Sequence, residues 1–456
     1  MGEYLPPPLG IVELAGYLES RIPGLEIEVL DCQASSLGWD GLEKHIERSR
    51  PDIVASSSLA TCNAYTTVRA VATAKAVNQA ILTLVGGQHF TVTAEESLRN
   101  YPEIDVIIRG EGERTLVDIV NAVKDSKSLA DVQGISFRHN GEIYHNPDQK
   151  LIANLDELPM PGYHFIEEHV RQYHFRMMAG SKTYALVEGS RGCPHHCAFC
   201  SQWRHWRGTW RSKSPSRIAD EIEFLHTNYG AEFFWLTDDI FSLGPRAEQF
   251  CYELISRGIS ENIMWFVQAR SDDIVHHSDL LGKMRSVGNM WILTGAESGS
   301  QATLASMRKS ISPEQTRDAV RLMRKHDIFA QTTFIIGQRE DTHETLIDLR
   351  EFVNQIDPDL AIFMLLTPFP GTEVYEEAKE NGWIEDTNWA HYDMVHPIMP
   401  TKTLSRDELQ DELINCYSDF YGSWARRLRS LFSSNKLKRQ TYRYLASQSV
   451  IRQFKL

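Results

Sequence analysis

The sequence has no apolar run approaching the ~18–20 residues that a membrane-crossing helix needs. Its opening, MGEYLPPPLG, also lacks the basic and apolar stretches of a signal peptide, so a cytoplasmic protein is expected. Basic charge is in deficit: 47 Lys and Arg stand against 61 Asp and Glu, a formal net charge of −14. That sign disfavours a phosphate backbone, and no nucleic-acid partner is expected. Cysteine is sparse, at seven residues. The count is odd and three of the seven fall inside eight residues, which no framework of surface disulfides requires and which points to a reducing compartment. With 42% hydrophobic and 24% charged residues, disordered, collagen-like and low-complexity classes are excluded. A chain of 456 residues has room for about three folding units.

What is present is an alternation of helix with short buried strand, the pattern of an α/β protein. LGIVELAGYLESR reads as an amphipathic helix, LEIEVLD as a strand, WDGLEKHIERSR as a helix and PDIVASSS as a strand. AYTTVRAVATAKAVNQ is then helical, ILTLVGG is a strand entering Gly86 and Gly87, IDVIIRGEGE a strand ending at Gly110 and Gly112, and TLVDIVNAVKD a helix. These predict a doubly wound domain over 1–134, with ligand positions at its strand ends. Such a domain normally opens with a strand. This chain opens in a proline-rich turn ahead of its first helix, so the sheet is expected without its first, central strand. A connector over 135–180 carries a hairpin, ISFRHNGEIYHN, and the proline-bearing LDELPMPGYHF. Over 181–402, strands are predicted near 183–188, 232–237, 264–268, 291–296, 332–337 and 361–366. The helices between them make this a partial (β/α)6 TIM barrel with its chemistry at the C-terminal strand ends. Region 403–456 reads as a helical, basic tail: from Tyr421 onward it has nine Lys or Arg and no acid, among Trp424, Phe432, Tyr442, Tyr444 and Phe454. It suits a solvated helical cap, and it also offers a contact to a substrate propionate, to the chain's own acidic body or, peripherally, to an anionic membrane surface.

The strongest chemical signal is Cys193-Pro-His-His-Cys197-Ala-Phe199-Cys200, directly after the strand YALVEGSRG. Three thiolates can hold three irons of a four-iron cluster and leave the fourth free for an exogenous ligand. The alternatives are a zinc knuckle completed by His195, His196 or His205, and an electron-transfer cluster completed by another Cys. Zinc sites usually pair two CxxC units, and no second pair exists here. Cys32, Cys62, Cys251 and Cys416 stand singly and read as small buried hydrophobes.

CxxxCxxC with an aromatic before the third Cys, on the loop after the first strand of a partial barrel, resembles the radical S-adenosylmethionine superfamily over about 180–400. The resemblance implies that Cys193, Cys197 and Cys200 ligate a [4Fe-4S] cluster and that S-adenosylmethionine chelates the fourth iron. An electron from reduced flavodoxin or ferredoxin would then split the sulfonium and release a 5′-deoxyadenosyl radical. Thr237-Asp238-Asp239 closes the second strand and Gly295-Ala-Glu297-Ser298-Gly299 the fourth. In the family, such segments lie near S-adenosylmethionine or substrate, which makes Phe199, Asp238 and Glu297 candidate cofactor contacts. The plainer readings are a helix cap for Asp238 and an ion pair with a barrel arginine for Glu297.

The first 134 residues resemble the cobalamin-binding domain that precedes one branch of this superfamily. The matching residues are Pro7-Pro8-Leu9-Gly10, Asp31, Pro51-Asp52 with Ser57 and Thr61, Gly86-Gly87-Gln88-His89, and Arg109-Gly110-Glu111-Gly112-Glu113. Glycines there would let a flat macrocycle approach the backbone, although the missing first strand weakens support for such a site. The lower-ligand motif Asp-x-His-x-x-Gly is lacking, and His89 reads either as a residue supporting the cofactor contacts from behind or as a packing residue. Within that branch, the stretch from Cys200 through Trp203, Arg204, Trp206, Arg207, Trp210 and Arg211, the segment Gly337–Thr345, and His391–Pro400 are similar to the anaerobic magnesium-protoporphyrin IX monomethyl ester cyclase group. The tryptophans and arginines suit either a planar substrate bearing carboxylates or a loop packed over the cluster. A small-molecule substrate, with a tetrapyrrole as the implied class, is expected; a cobalamin-dependent radical methylase and a non-enzymatic carrier are the other readings.

Overall fold

The computed structural model describes residues 4–453, with side chains as far as Ser447; Phe454 lies outside them. In the N-terminal half a five-stranded sheet runs in the order β1 (Ile53–Ser57), β2 (Leu82–Gly86), β3 (Val106–Ile108), β4 (Ile135–His139) and β5 (Glu142–His145). The first three are parallel and the last two antiparallel. Val85 and Ile107 pack with Val71, Phe90 and Leu98 on one face. Their neighbours Leu84 and Val106 pack with Leu116 and Ile119 on the other, as a sheet covered on both sides requires. The hairpin expected within the connector continues this sheet past residue 134. Its Asn140-Gly141 turn has φ of +52° and +85°, the left-handed pair that suits a two-residue hairpin.

Leu25–Asp31 alternates as a strand should, yet it forms no ladder, and β1 is the sheet's edge. Tyr4–Leu5 pairs instead with His174–Phe175, where Tyr4 and Phe175 pack on Tyr184 of the second half.

That second half is a six-stranded parallel sheet in sequential order: β6 (Tyr184–Val187), β7 (Phe233–Leu236), β8 (Met264–Gln268), β9 (Asn289–Glu297), β10 (Phe329–Ile336) and β11 (Leu360–Leu365). The predicted helix near 276–287 is broken into Ser271–His276 and Leu281–Ser286. Six strands leave two open edges, and tyrosine hydroxyls cover both. On β6, the Tyr163 hydroxyl accepts from Leu186 N–H and donates to its carbonyl, both at 3.1 Å. On β11, Tyr417 does the same for Phe363 and Tyr421 for Ala361, at 2.8–3.2 Å. Four residues apart on the helix Arg406–Gly422, the two rings project from one face and meet alternate residues of the strand. Tyr417→Phe with Tyr421→Phe keeps the rings and removes the hydroxyls, at an expected cost of about 1–3 kcal/mol per group left unsatisfied. Hydrogen exchange at the Ala361 and Phe363 amides should quicken; unchanged exchange there would refute the capping role.

The tail is not freely solvated. Arg426 reaches Asp357 at 2.8 Å, Arg429 pairs with the same carboxylate, and Lys438 pairs with Asp359, so the tail docks on the chain's own acids. Both aspartates precede β11, which places the tail on the barrel face opposite the C-terminal strand ends. Among the described residues no helix is long and apolar enough to cross a membrane.

Candidate functional site

Beyond β6 the chain forms a short antiparallel pair, Ser190–Gly192 with Trp210–Ser212, and the loop between them holds the three cysteines. Gly192 has φ +89°, and a Cβ there would stand 2.1 Å from the Thr209 carbonyl, so the turn into Cys193 requires glycine. The acidic pair after β7 fixes this turn. Asp238 accepts from Gly189 N–H and Ser190 Oγ, both at 2.7 Å, and Asp239 accepts from Gly192 N–H at 3.2 Å. Burial pushes the two carboxyls up to about 6 and about 7. Asp238, a candidate ligand contact in the sequence, is wholly buried and turned onto the backbone that leads into Cys193.

The loop is pinned at three further points: Ala198 N–H donates to Met307 O at 3.0 Å, Trp203 Nε1 donates to Cys197 O at 3.2 Å, and Phe199 packs against Met307, Ile335 and Leu366. The thiols lie within electrostatic range of one another, and burial pushes Cys200 up to about 12. Among the described residues no three His, Cys, Asp or Glu side chains converge on one ion. Behind Cys197, Lys309 pairs with Glu297 at 2.7 Å and opposes the effect of burial on the thiol. Glu297 sits at a bulge between β9 and β10 with φ +59°. It pairs with a lysine rather than the arginine of the plainer reading, and nothing in the sequence pattern marks Lys309. Beside the loop, a cleft of about 600 Å³ opens between Pro194, His195, Trp210, Arg270, Asp272 and His276.

The sheet ends of the N-terminal half face this loop. Gln88 donates to Gln202 Oε1, and Ser201 Oγ donates to Gln88 Oε1 at 3.4 Å. Gly87, with φ +97°, is demanded by its own turn, since a Cβ would stand 2.2 Å from Ser58 O. Gly112 packs against Leu14, with 3.1 Å to an added Cβ, whereas a Cβ at Gly86 or Gly110 would meet nothing closer than 3.6 Å. Ser57 is exposed, Thr61 is buried, and Leu59 between them is 76% exposed, an apolar rim that sequence reading missed. Gly110, with φ +75°, is required by its own backbone, but an open, apolar strand end with Gly86, which internal packing does not require, fits a macrocycle. His89 is buried against Phe90 and Trp389, as a packing residue should be.

Glu111 is otherwise engaged. Its carboxylate takes Arg191 at 3.0 Å, Arg211 at 2.7 Å and the Ile152 N–H at 2.7 Å, inside a buried network between the two halves. Its candidate role at a cofactor therefore gives way to one in fastening the halves. Trp206 lies between Arg191 and Arg211, 5.8 and 5.6 Å from the guanidinium carbons. For Trp206 and Arg211 this arrangement follows the packed-loop alternative, whereas Trp210 lines the cleft and Arg204 and Arg207 are exposed. Five carboxylates (Glu13, Glu111, Glu113, Glu188, Glu221) meet four cations (Arg191, Arg211, Lys213, Arg217). Protonation removes the excess charge: burial, then Glu188, raises Glu13 from 4.5 to about 8 against the opposing pull of Lys213 and Arg191. The folded chain thus keeps a proton on Glu13 that the unfolded chain has released, and the contribution of Glu13 to stability falls as pH rises from 4.5 to about 8 before levelling. Glu13→Gln should remove this slope, so its advantage in unfolding midpoint over wild type should widen across that window. A constant difference would show that Glu13 is ionised in the fold.

With this geometry in place, comparison with known proteins is informative. The B12 binding domain family matches residues 2–120, and the Radical SAM superfamily matches residues 187–353. An uncharacterized methyltransferase of Pyrococcus horikoshii is 31% identical over 91% of this chain and 88% of its own. The anaerobic magnesium-protoporphyrin IX monomethyl ester cyclase of Rubrivivax gelatinosus is 31% identical over 95% and 77%. Among solved structures, the radical S-adenosylmethionine methyltransferase TsrM of Kitasatospora setae, with cobalamin and a [4Fe-4S] cluster bound, shares the fold at a TM-score of 0.73. It is 15% identical and covers 98% of this chain and 97% of its own. The cobalamin-dependent enzyme OxsB follows at 0.65 and 20% identity, covering 92% and 59%. The cysteine loop and the glycine-edged sheet that meets it thus belong to one enzyme type: the chain is a member of the cobalamin-binding radical S-adenosylmethionine enzymes, whose cofactors are a [4Fe-4S] cluster, S-adenosylmethionine and cobalamin.

Proposed function

We propose that the chain carries out oxidative C–H functionalisation of a tetrapyrrole, in the manner of an anaerobic magnesium-protoporphyrin IX monomethyl ester cyclase. Cys193, Cys197 and Cys200 would hold the cluster, and the strand ends at Ser57, Thr61, Gly86 and Gly110 would hold cobalamin. When bound, the cluster and S-adenosylmethionine supply a 5′-deoxyadenosyl radical. The observation that carries the reading is the contact of Gln88 with Ser201 and Gln202, one and two residues past Cys200. It sets the two cofactor loops against each other, so a substrate between them would reach both. The chain's own part is to orient and to exclude water: Asp238 and Asp239 hold the turn into Cys193, Trp203 ties the loop to itself at the Cys197 carbonyl, and Phe199 closes it onto the barrel.

Methyl transfer is the second reading, supported by the Pyrococcus relative at the same 31% identity as the cyclase. One anaerobic assay separates the two. Reconstituted, reduced protein is given S-adenosylmethionine and magnesium-protoporphyrin IX monomethyl ester, and the products are read by mass. A cyclised porphyrin with 5′-deoxyadenosine and no S-adenosylhomocysteine supports the cyclase. A methylated product with both nucleosides supports the alternative, and an untouched porphyrin with S-adenosylmethionine cleaved removes this tetrapyrrole from consideration.

A further inference from the structure

The helix Trp424–Leu431 is mounted with its polar side inward. Arg426 is 7% exposed and Ser430 is wholly buried, whereas Trp424, Leu428 and the following Phe432 are 74%, 54% and 80% exposed. Spaced by four, the three form one stripe along the helix. Single exposed apolar residues are ordinary, but a stripe of three large ones on a helix that buries its arginine needs an occupant. Cations frame it: the Arg427 guanidinium carbon lies 5.6 Å from the Trp424 ring centroid, and Lys436 is exposed at the start of the next helix. Arg426 and Lys438 secure the mount through Asp357 and Asp359.

We propose that this stripe is an interfacial anchor that seats the barrel's floor on an anionic lipid bilayer. Two observations favour lipid over a second copy of the chain. Side chains of ~150–250 Å² each make a patch on the order of 500 Å², below the ~800 Å² per partner of a standard stable interface. In a chain of net charge −14, the stretch Tyr421–Leu456 has no acid; with Arg426, Arg429 and Lys438 already paired to Asp357 and Asp359, the exposed Arg427, Lys436 and Arg443 remain as a local charge that anionic headgroups complement. Tryptophan, leucine and phenylalanine on one side with arginine at the rim is the composition of a helix lying in the headgroup plane. The anchor sits on the face opposite the strand ends, so seating leaves the cysteine loop uncovered. The inference is independent of the substrate.

The test is flotation of the full-length protein with vesicles of phosphatidylcholine alone and with vesicles containing roughly one-third phosphatidylglycerol. Co-flotation with the anionic vesicles, weakening as salt shortens the screening length, is expected. Trp424→Ser with Phe432→Ser should weaken it by about tenfold or more, and Arg427→Glu should weaken it while leaving the apolar stripe in place. The serine variant should keep the wild-type unfolding midpoint, because its side chains are exposed, and Arg427→Glu should stay close to it, losing the exposed hydrogen bond from Nε to Tyr421 O. Absence of flotation, or flotation that the double variant leaves unchanged, would overturn the proposal. So would a dimer in light scattering that the double variant dissociates, which would make the stripe a self-association surface.

Discussion

Cys197→Ala is expected to yield protein that binds little iron and no longer cleaves S-adenosylmethionine to 5′-deoxyadenosine. Cys197 faces Lys309 and Glu297. Loss of an outer partner of a metal site costs about 10–100-fold in affinity or activity, and loss of a ligand should exceed that range. Trp203→Phe supplies the comparison, since it removes only the indole hydrogen bond to the Cys197 carbonyl and keeps an aromatic ring. Its loss should stay within about 10–100-fold, with iron retained. Iron content, visible absorption and nucleoside analysis after reduction measure the contrast. Full cluster content and full cleavage in Cys197→Ala would require a different set of ligands.

Arg191→Leu is the second large effect. The guanidinium, 4% exposed, meets Glu188 at 2.7 Å, Glu113 at 2.7 Å and Glu111 at 3.0 Å. Leucine fills part of the volume but leaves these carboxylates without their shared cation. Breaking a buried pair by removing one partner costs about 3–5 kcal/mol, and here the loss falls on the seam between the halves. A split calorimetric transition is therefore expected, with the N-terminal half melting first. Arg191→Lys keeps the charge but cannot fork to three acceptors, so it should recover only part of the loss. A single transition at the wild-type temperature in Arg191→Leu would show that the halves are held elsewhere.

Much of this architecture was legible because it is written locally. The six barrel strands and the Asn140-Gly141 hairpin follow from period and turn chemistry. The cysteine spacing marks its own loop. What was not legible depends on partners far along the chain. Leu25–Asp31 has the period of a strand, but a ladder needs a neighbour, and sequence period does not report one. Glu111 stands between two glycines at a strand end, the setting of a ligand contact, yet Arg191 and Arg211, 80 and 100 residues away, claim it. Asp238 was read at a ligand for the same reason and is held by a turn 49 residues upstream. The tryptophans and arginines after Cys200 offered two readings of equal chemistry, and only tertiary packing separates them. In the tail, the basic composition was visible, but the direction in which its arginines point was not.

The hydroxyl plugs along β6 and β11 have a consequence for aggregation. A ring of eight strands admits a guest only along its axis, whereas a horseshoe of six has a lateral slot whose walls would ordinarily zip onto any stray extended peptide. Phenol groups quench that stickiness, so the horseshoe can remain unclosed without polymerising.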